Sequence, residues 1–175
     1  MRSLPQHPIA PASYLNRQPE RMVLEGYRNW ILGTVLRYTV PWTDAQLLDR
    51  DLLGDEDGAE AIIALAGFTK TLGQCAICPL SVLRSGCQHV CRDETLVMGL
   101  IAGMQNGDED AIHLCMEALC CLSQFGLVAA VAGNYALTLK RVDQAMLRIP
   151  ADFVRRVALR TTGWPRAVPT LMTIH

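Results

Sequence analysis

The sequence predicts an all-α single domain, an orthogonal or irregular bundle of about six to eight helices. Three observations predict it. Apolar residues recur at spacings of three and four through successive segments, no stretch alternates with the period of two that a half-buried strand requires, and Gly, Pro and Asn-Gly interrupt the chain at helix-length intervals. At 175 residues and 50% hydrophobic, the chain can bury one substantial core and is too short to make two. No internal repeat is present. Residues 1–17, carrying Pro5, Pro8 and Pro11, read as a flexible N-terminus, 18–160 as the helical domain, and 161–175, carrying Pro165 and Pro169, as an extended C-terminal tail that lies over the surface or reaches a partner.

The first helix is predicted to begin near Pro19, whose fixed φ and missing donor suit a first turn. Met22, Val23, Tyr27, Trp30, Ile31, Thr34, Val35 and Tyr38 give it one apolar face, and Pro41 ends it. Thr43 with Gln46 three residues on makes a capping-box start for a short helix through Leu53, stopped by Gly54. After the acidic turn Asp55-Glu56-Asp57-Gly58, a helix over Ala59 to Leu72 delivers the chain to a first cysteine pair. Pro79 opens a short helix-compatible segment through Leu80, Val82 and Leu83, broken at Gly86. From Asp93 an amphipathic helix runs to Asn106-Gly107, and Asp108 caps the next, with Ile112, Cys115, Met116, Leu119 and Leu122 facing the core. A helix from about Phe125 to Leu147 follows, and Pro150 separates it from a last one over Ala151 to Arg160.

The longest apolar stretch, Leu114 to Leu139, exceeds the length of a spanning helix but contains Glu117, Ser123, Gln124 and Asn134. It reads as a core helix, or as two helices meeting near Gln124–Gly126, and not as a membrane segment. The proline-broken N-terminus lacks the continuous apolar run of a secretory signal, which predicts a cytoplasmic protein. Seven cysteines, an odd number, argue there for metal binding, redox chemistry or buried packing over a disulfide framework.

Four of the seven fall within seventeen residues as Cys75, Cys78, Cys87 and Cys91, a C-x2-C-x8-C-x3-C pattern with His89 inside its second half. Two residues between ligands let both sulfurs turn to one side at a chain reversal, and C-x3-C does the same along a helical face. Four thiolates close a tetrahedral zinc site or hold an iron–sulfur cluster, with His89 as the alternative ligand. The same C-x2-C permits thiol–disulfide chemistry, since the second thiol resolves a mixed disulfide formed on the first. Buried packing of small apolar thiols is the third reading. Cys115, Cys120 and Cys121 are read as core packing; Cys115 or Cys120 is the better candidate to join the first cluster.

On these residues the helical C-x2-C chain, over Ala59 to Met146, resembles the AhpD-like alkylhydroperoxidase and carboxymuconolactone decarboxylase families. The resemblance implies a helical thiol peroxidase with Cys75 and Cys78 as its redox pair. Those peroxidases use C-x2-C-x3-H, which would require His at position 82, where this chain has Val82, and His89 lies too far along to take that role. The histidine relay is therefore not carried over, and the likeness is taken as an analogy of fold, not as membership of either family.

Asp110, His113 and Glu117 share one helical surface, but the second such helix that a di-iron bundle needs is missing, so they read as an exposed polar face. The Asp55-Glu56-Asp57 run lacks the ligand pattern of a calcium loop. No P-loop, dinucleotide-binding glycine fingerprint or serine nucleophile elbow is present, so no nucleotide cofactor is indicated.

The net charge of −1 conceals a split, because residues 140–175 hold seven basic side chains against Asp143 and Asp152. Arg155, Arg156 and Arg160 on the last helix, with Trp164 beyond it, form a candidate surface for a protein partner or a second copy of the chain, in preference to nucleic acid. The combined reading is a cytoplasmic interaction or regulatory protein, in preference to an enzyme, with a zinc or iron–sulfur site at Cys75, Cys78, Cys87 and Cys91; were it an enzyme, a thiol-dependent oxidoreductase is expected. The alternatives are a C-x2-C thiol oxidoreductase or peroxidase-like protein, and a metal-free helical adaptor.

Overall fold

The computed structural model describes residues 12–36, 40–159 and 172–173. These form an all-α arrangement with seven helices of eight residues or more, as the periodicity predicts. Ala12–Leu15 (α1) makes one helical turn in the segment expected to be irregular, and its Leu15 is buried. Gln18–Leu36 (α2) carries Pro19 in its first turn and buries Met22, Val23, Tyr27 and Ile31.

Val40–Leu53 (α3) starts three residues before the expected Thr43, with Pro41 inside its first turn. Pro41, expected to end α2, lies instead in the first turn of α3, where its missing N–H costs nothing, and Tyr38, expected on the apolar face of α2, is outside the described residues. The Trp42 indole Nε1 donates to the Trp30 carbonyl at 3.1 Å and lies directly over Gly33, where any side chain would collide with it. Asp55–Cys75 (α4) follows Gly54, whose φ of 86° makes the corner. The acidic run predicted as a turn forms the first turn of α4, where three carboxylates favour the positive end of the helix dipole.

Residues 80–83 are not helical. Ser81–Val82 (β1) is extended and pairs antiparallel with Met172–Thr173 (β2), a short ladder absent from the sequence reading. The cause lies in the next helix. Asp93 Oδ2 accepts from the Ser81 amide at 2.9 Å and Glu94 Oε1 from the Leu83 amide at 2.8 Å, so both donors are taken by side chains.

Arg92–Asn106 (α5) ends at Gly107 in a left-handed conformation, and Glu109–Leu119 (α6) is capped by Asp108, whose side chain accepts from the Ala111 amide, as expected. A 3-10 turn over Leu122–Gln124 leads to Phe125–Arg141 (α7), so the long apolar stretch is two helices meeting near Gln124. Leu122–Arg141 is long and apolar enough to cross a membrane by length and composition alone. In this fold it packs on α4 and α5 and buries Val128, Ala132, Tyr135, Ala136 and Leu139. Its helix stops at Arg141, six residues before the expected Leu147, with Asp143 at φ 57° turning the chain. Ala151–Ala158 (α8) lies against α5 and α6.

One continuous core joins these elements, with α4 between α3 and α7, and α5 between α6, α7 and α8. The Phe68 and Tyr135 rings stack across it with centroids 6.1 Å apart.

Candidate functional site

The cysteine loop, residues 76–91, is held by charge. Arg28 is fully buried on α2 and all its N–H groups have acceptors. Nε donates to Glu94 Oε1 at 2.7 Å and Nη2 to Glu94 Oε2 at 3.0 Å; Nη1 donates to Glu25 Oε1 at 2.9 Å and to the Cys87 carbonyl at 2.8 Å; Nη2 also donates to the His89 carbonyl at 2.5 Å. Glu94 in turn accepts from the Leu83 and Cys91 amides, and Glu25 from the Ser85 hydroxyl and the Gly86 amide. Burial opposes the charge on Arg28, but the Glu94 bonds and the field of Glu94 and Glu25 outweigh it and raise its pKa. Six residues of the loop are thereby fastened to three side chains.

The four clustered cysteines have different fates. Cys91 is buried before α5, its Sγ donating to the Ser81 carbonyl at 3.2 Å; burial, reinforced by Glu94, pushes its thiol pKa far up. Cys87 is half-buried and contributes its carbonyl to Arg28, while His89 is exposed and does the same. Cys75 is buried at the last residue of α4, its Sγ 3.7 Å from Gln124 Oε1, and Cys78 is exposed three residues on. Among the described residues, no group of three or more His, Cys, Asp and Glu side chains is arranged to hold a metal ion.

Cys75 meets other thiols instead. The ends of α4 and α6 run together as an antiparallel bridge between Ala76 and Cys120, with the Ile77 amide on the Leu119 carbonyl at 3.1 Å and the Cys121 amide on the Cys75 carbonyl at 3.4 Å. Cys75 thus lies alongside Cys120-Cys121, from 45 residues further along the chain, while the antiparallel direction carries Cys78 away from them. Cys120 is buried, and burial, with the fields of Cys75 and Cys121 added, raises its thiol pKa to about 11. Cys121 is exposed. Comparison with protein-family models, with curated proteins and with solved structures finds no match for this chain. The chemistry of the site therefore rests on its own geometry.

Cys78 opens into a cleft of about 430 Å³ between the loop, α6 and α8. Leu80, Leu114, Ala118, Leu119 and Ala158 make its apolar lining, and Arg92, Asp93, Glu117 and Arg155 bring charge to it. Of the expected partner surface, Arg155 lines this cleft and Arg156 lies 5.8 Å over the Phe153 ring; Arg160 and Trp164 are outside the described residues. Asp110 and His113 are exposed, with His113 Nε2 3.1 Å from Glu117 Oε1, in keeping with a polar helix face. Cys115 is a core residue packed on Gly99, where an added Cβ would stand 2.9 Å from its Sγ, and burial pushes its thiol up to about 12.

The residues that sequence reasoning missed are Arg28, Glu25, Glu94 and Arg92. Two signals existed. Arg28 interrupts the apolar row Leu24, Ile31 and Val35 on α2, and Glu94 stands three residues after Cys91 at a helix start, the place of a capping-box acid.

Proposed function

We propose that the chain is a thiol–disulfide redox protein in which Cys78 is the exchanging thiol and Cys75 the resolving one, with Cys120 and Cys121 as a second pair beside Cys75. The observation that carries the reading is the Ala76–Cys120 bridge, which lays Cys75 beside the Cys120-Cys121 dipeptide while Cys78 alone of the C-x2-C pair is exposed, in a cleft. Exchange needs an accessible attacking sulfur and a second sulfur close in sequence to release the bound group, and access separates the two here. An intracellular setting that keeps thiols reduced belongs to the proposal.

The test is disulfide exchange by the reduced full-length protein, read by mass. Cys78→Ser is expected to abolish exchange at the C-x2-C, and Cys75→Ser to leave a stable mixed disulfide on Cys78. Unchanged turnover in Cys78→Ser would sink the reading. Anaerobic purification without chelator supplies the contrary result: stoichiometric zinc, or iron with acid-labile sulfide, lost in Cys87→Ser would return the loop to metal chemistry.

A further inference from the structure

We propose that the cleft beside Cys78 takes low-molecular-weight disulfides bearing carboxylates, and that Arg155 selects them over neutral and cationic disulfides. The proposal rests on the reading of Cys78 as an exchanging thiol and adds its substrate class.

Size and lining come first. About 430 Å³ suits a molecule of short-peptide size, and the apolar lining matches the methylenes that flank a disulfide. Charge decides the class. The two acids of the cleft differ: Asp93 is held by Arg92 Nη1 at 2.9 Å and by the Ser81 amide at 2.9 Å, whereas Glu117 is exposed and faces His113 Nε2 at 3.1 Å. Arg92 Nη2 donates to the Ala158 carbonyl at 3.3 Å. Arg155 is bound less tightly, its Nη1 standing 3.6 Å from the exposed Asp152 carboxylate. A contact of that length between exposed groups is weak, so the guanidinium keeps donors for a ligand carboxylate.

The step balances within the two reactants. The Cys78 sulfur gives up its proton to solvent and attacks one sulfur of R–S–S–R; the Cys78–S–S–R bond forms as the R–S–S–R bond breaks, and the departing R–S⁻ takes up a proton as R–SH. Attack by Cys75 on the Cys78 sulfur then closes the intramolecular disulfide and releases a second R–SH. The protein is oxidised by two electrons and the small disulfide is reduced by two.

Cys121 supplies an internal comparison, since it is exposed but does not line the cleft. The reduced full-length protein is challenged with oxidised glutathione (anionic), hydroxyethyl disulfide (neutral) and cystamine (cationic), at low and high ionic strength, and adducts are located by peptide mass mapping. At Cys78 and low salt, oxidised glutathione is expected to react about tenfold faster than cystamine, with the preference shrinking at high salt. Cys121 should lack that order. Arg155→Glu should reverse the preference at Cys78 and leave Cys121 as it was. Arg155 is exposed, so folding should survive the change, and the salt dependence of the unmodified protein stands as a test without it. Equal rates with all three disulfides at Cys78 would overturn the selection by charge while leaving Cys78 an exchanging thiol. Adducts at Cys121 with none at Cys78 would overturn both.

Discussion

Arg28 and Glu94 exchange two hydrogen bonds in a fully buried setting, and each also serves backbone groups of the loop. Removing Arg28 leaves the Glu94 charge buried without its counterpart, and removing the Glu94 charge leaves buried Arg28 with Glu25 alone. Arg28→Met or Glu94→Gln is therefore expected to cost about 3–5 kcal/mol, measured by urea unfolding. The double variant Arg28→Met with Glu94→Leu relieves the unpaired charge but strips the Leu83 and Cys91 amides of their acceptor. It should recover only part of that loss, and full recovery would show that the backbone contacts contribute nothing. A second reporter is chemical: in Arg28→Met the half-buried Cys87 should label faster with a maleimide than in the parent, since its carbonyl is no longer held.

At the scale of elements, the decisive groups are polar side chains that settle where helices stop. Gln105 on α5 donates through Nε2 to the Ala136 and Gln144 carbonyls and accepts from the Met146 amide at 2.8 Å. It converts what reads as the last turns of α7 into an extended strap, and Glu20 fixes the same strap by accepting from the Leu147 amide. Gln105→Ala should destabilise by about 1–3 kcal/mol and speed hydrogen exchange at Met146 more than at Leu139. The helices themselves were legible because spacing of apolar residues reports the face they bury, and Gly54, Gly107 and Asp108 announced their ends. The strap and β1 were not, because their conformation is imposed by Gln105, Asp93 and Glu94, which act across tertiary distance. The candidate site was half legible for the same reason. The spacing of Cys75 and Cys78 is visible in sequence, whereas the approach of Cys120 and Cys121 depends on where α4 and α6 end relative to each other.

For the whole molecule, one buried acid sets an expected pH dependence. Asp49 on α3 is buried with no hydrogen-bond partner for either carboxylate oxygen among the described residues, and burial raises its pKa to about 7. Between its ordinary value near 3.8 and 7, the unfolded chain has released this proton while the folded chain retains it. Stability should then fall as pH rises through that window and level off above it, by a few kcal/mol in all. Asp108 has the opposite sign. Its hydrogen bond from Arg148, with that from the Ala111 amide, holds its pKa below 3.8, so its contribution is lost only in more acid solution. Urea midpoints at pH 5 and pH 7.5 check the first effect, and Asp49→Asn should flatten the difference. A midpoint that rises across that range in the parent would refute the assignment to Asp49.

The anchors of the cysteine loop have a temporal consequence. Arg28 reaches carbonyls 59 and 61 residues away, so the loop acquires its shape only after α2 and α5 have come together. Contacts of such separation form late, because chain closure must precede them. A newly made or partly unfolded chain therefore holds seven thiols of similar accessibility, and the finished fold shields Cys75, Cys91, Cys115 and Cys120 while leaving Cys78 and Cys121 in the open. The count of rapidly labelled sulfurs becomes a clock for maturation, and oxidant met before that moment would trap wrong pairings that the completed fold excludes.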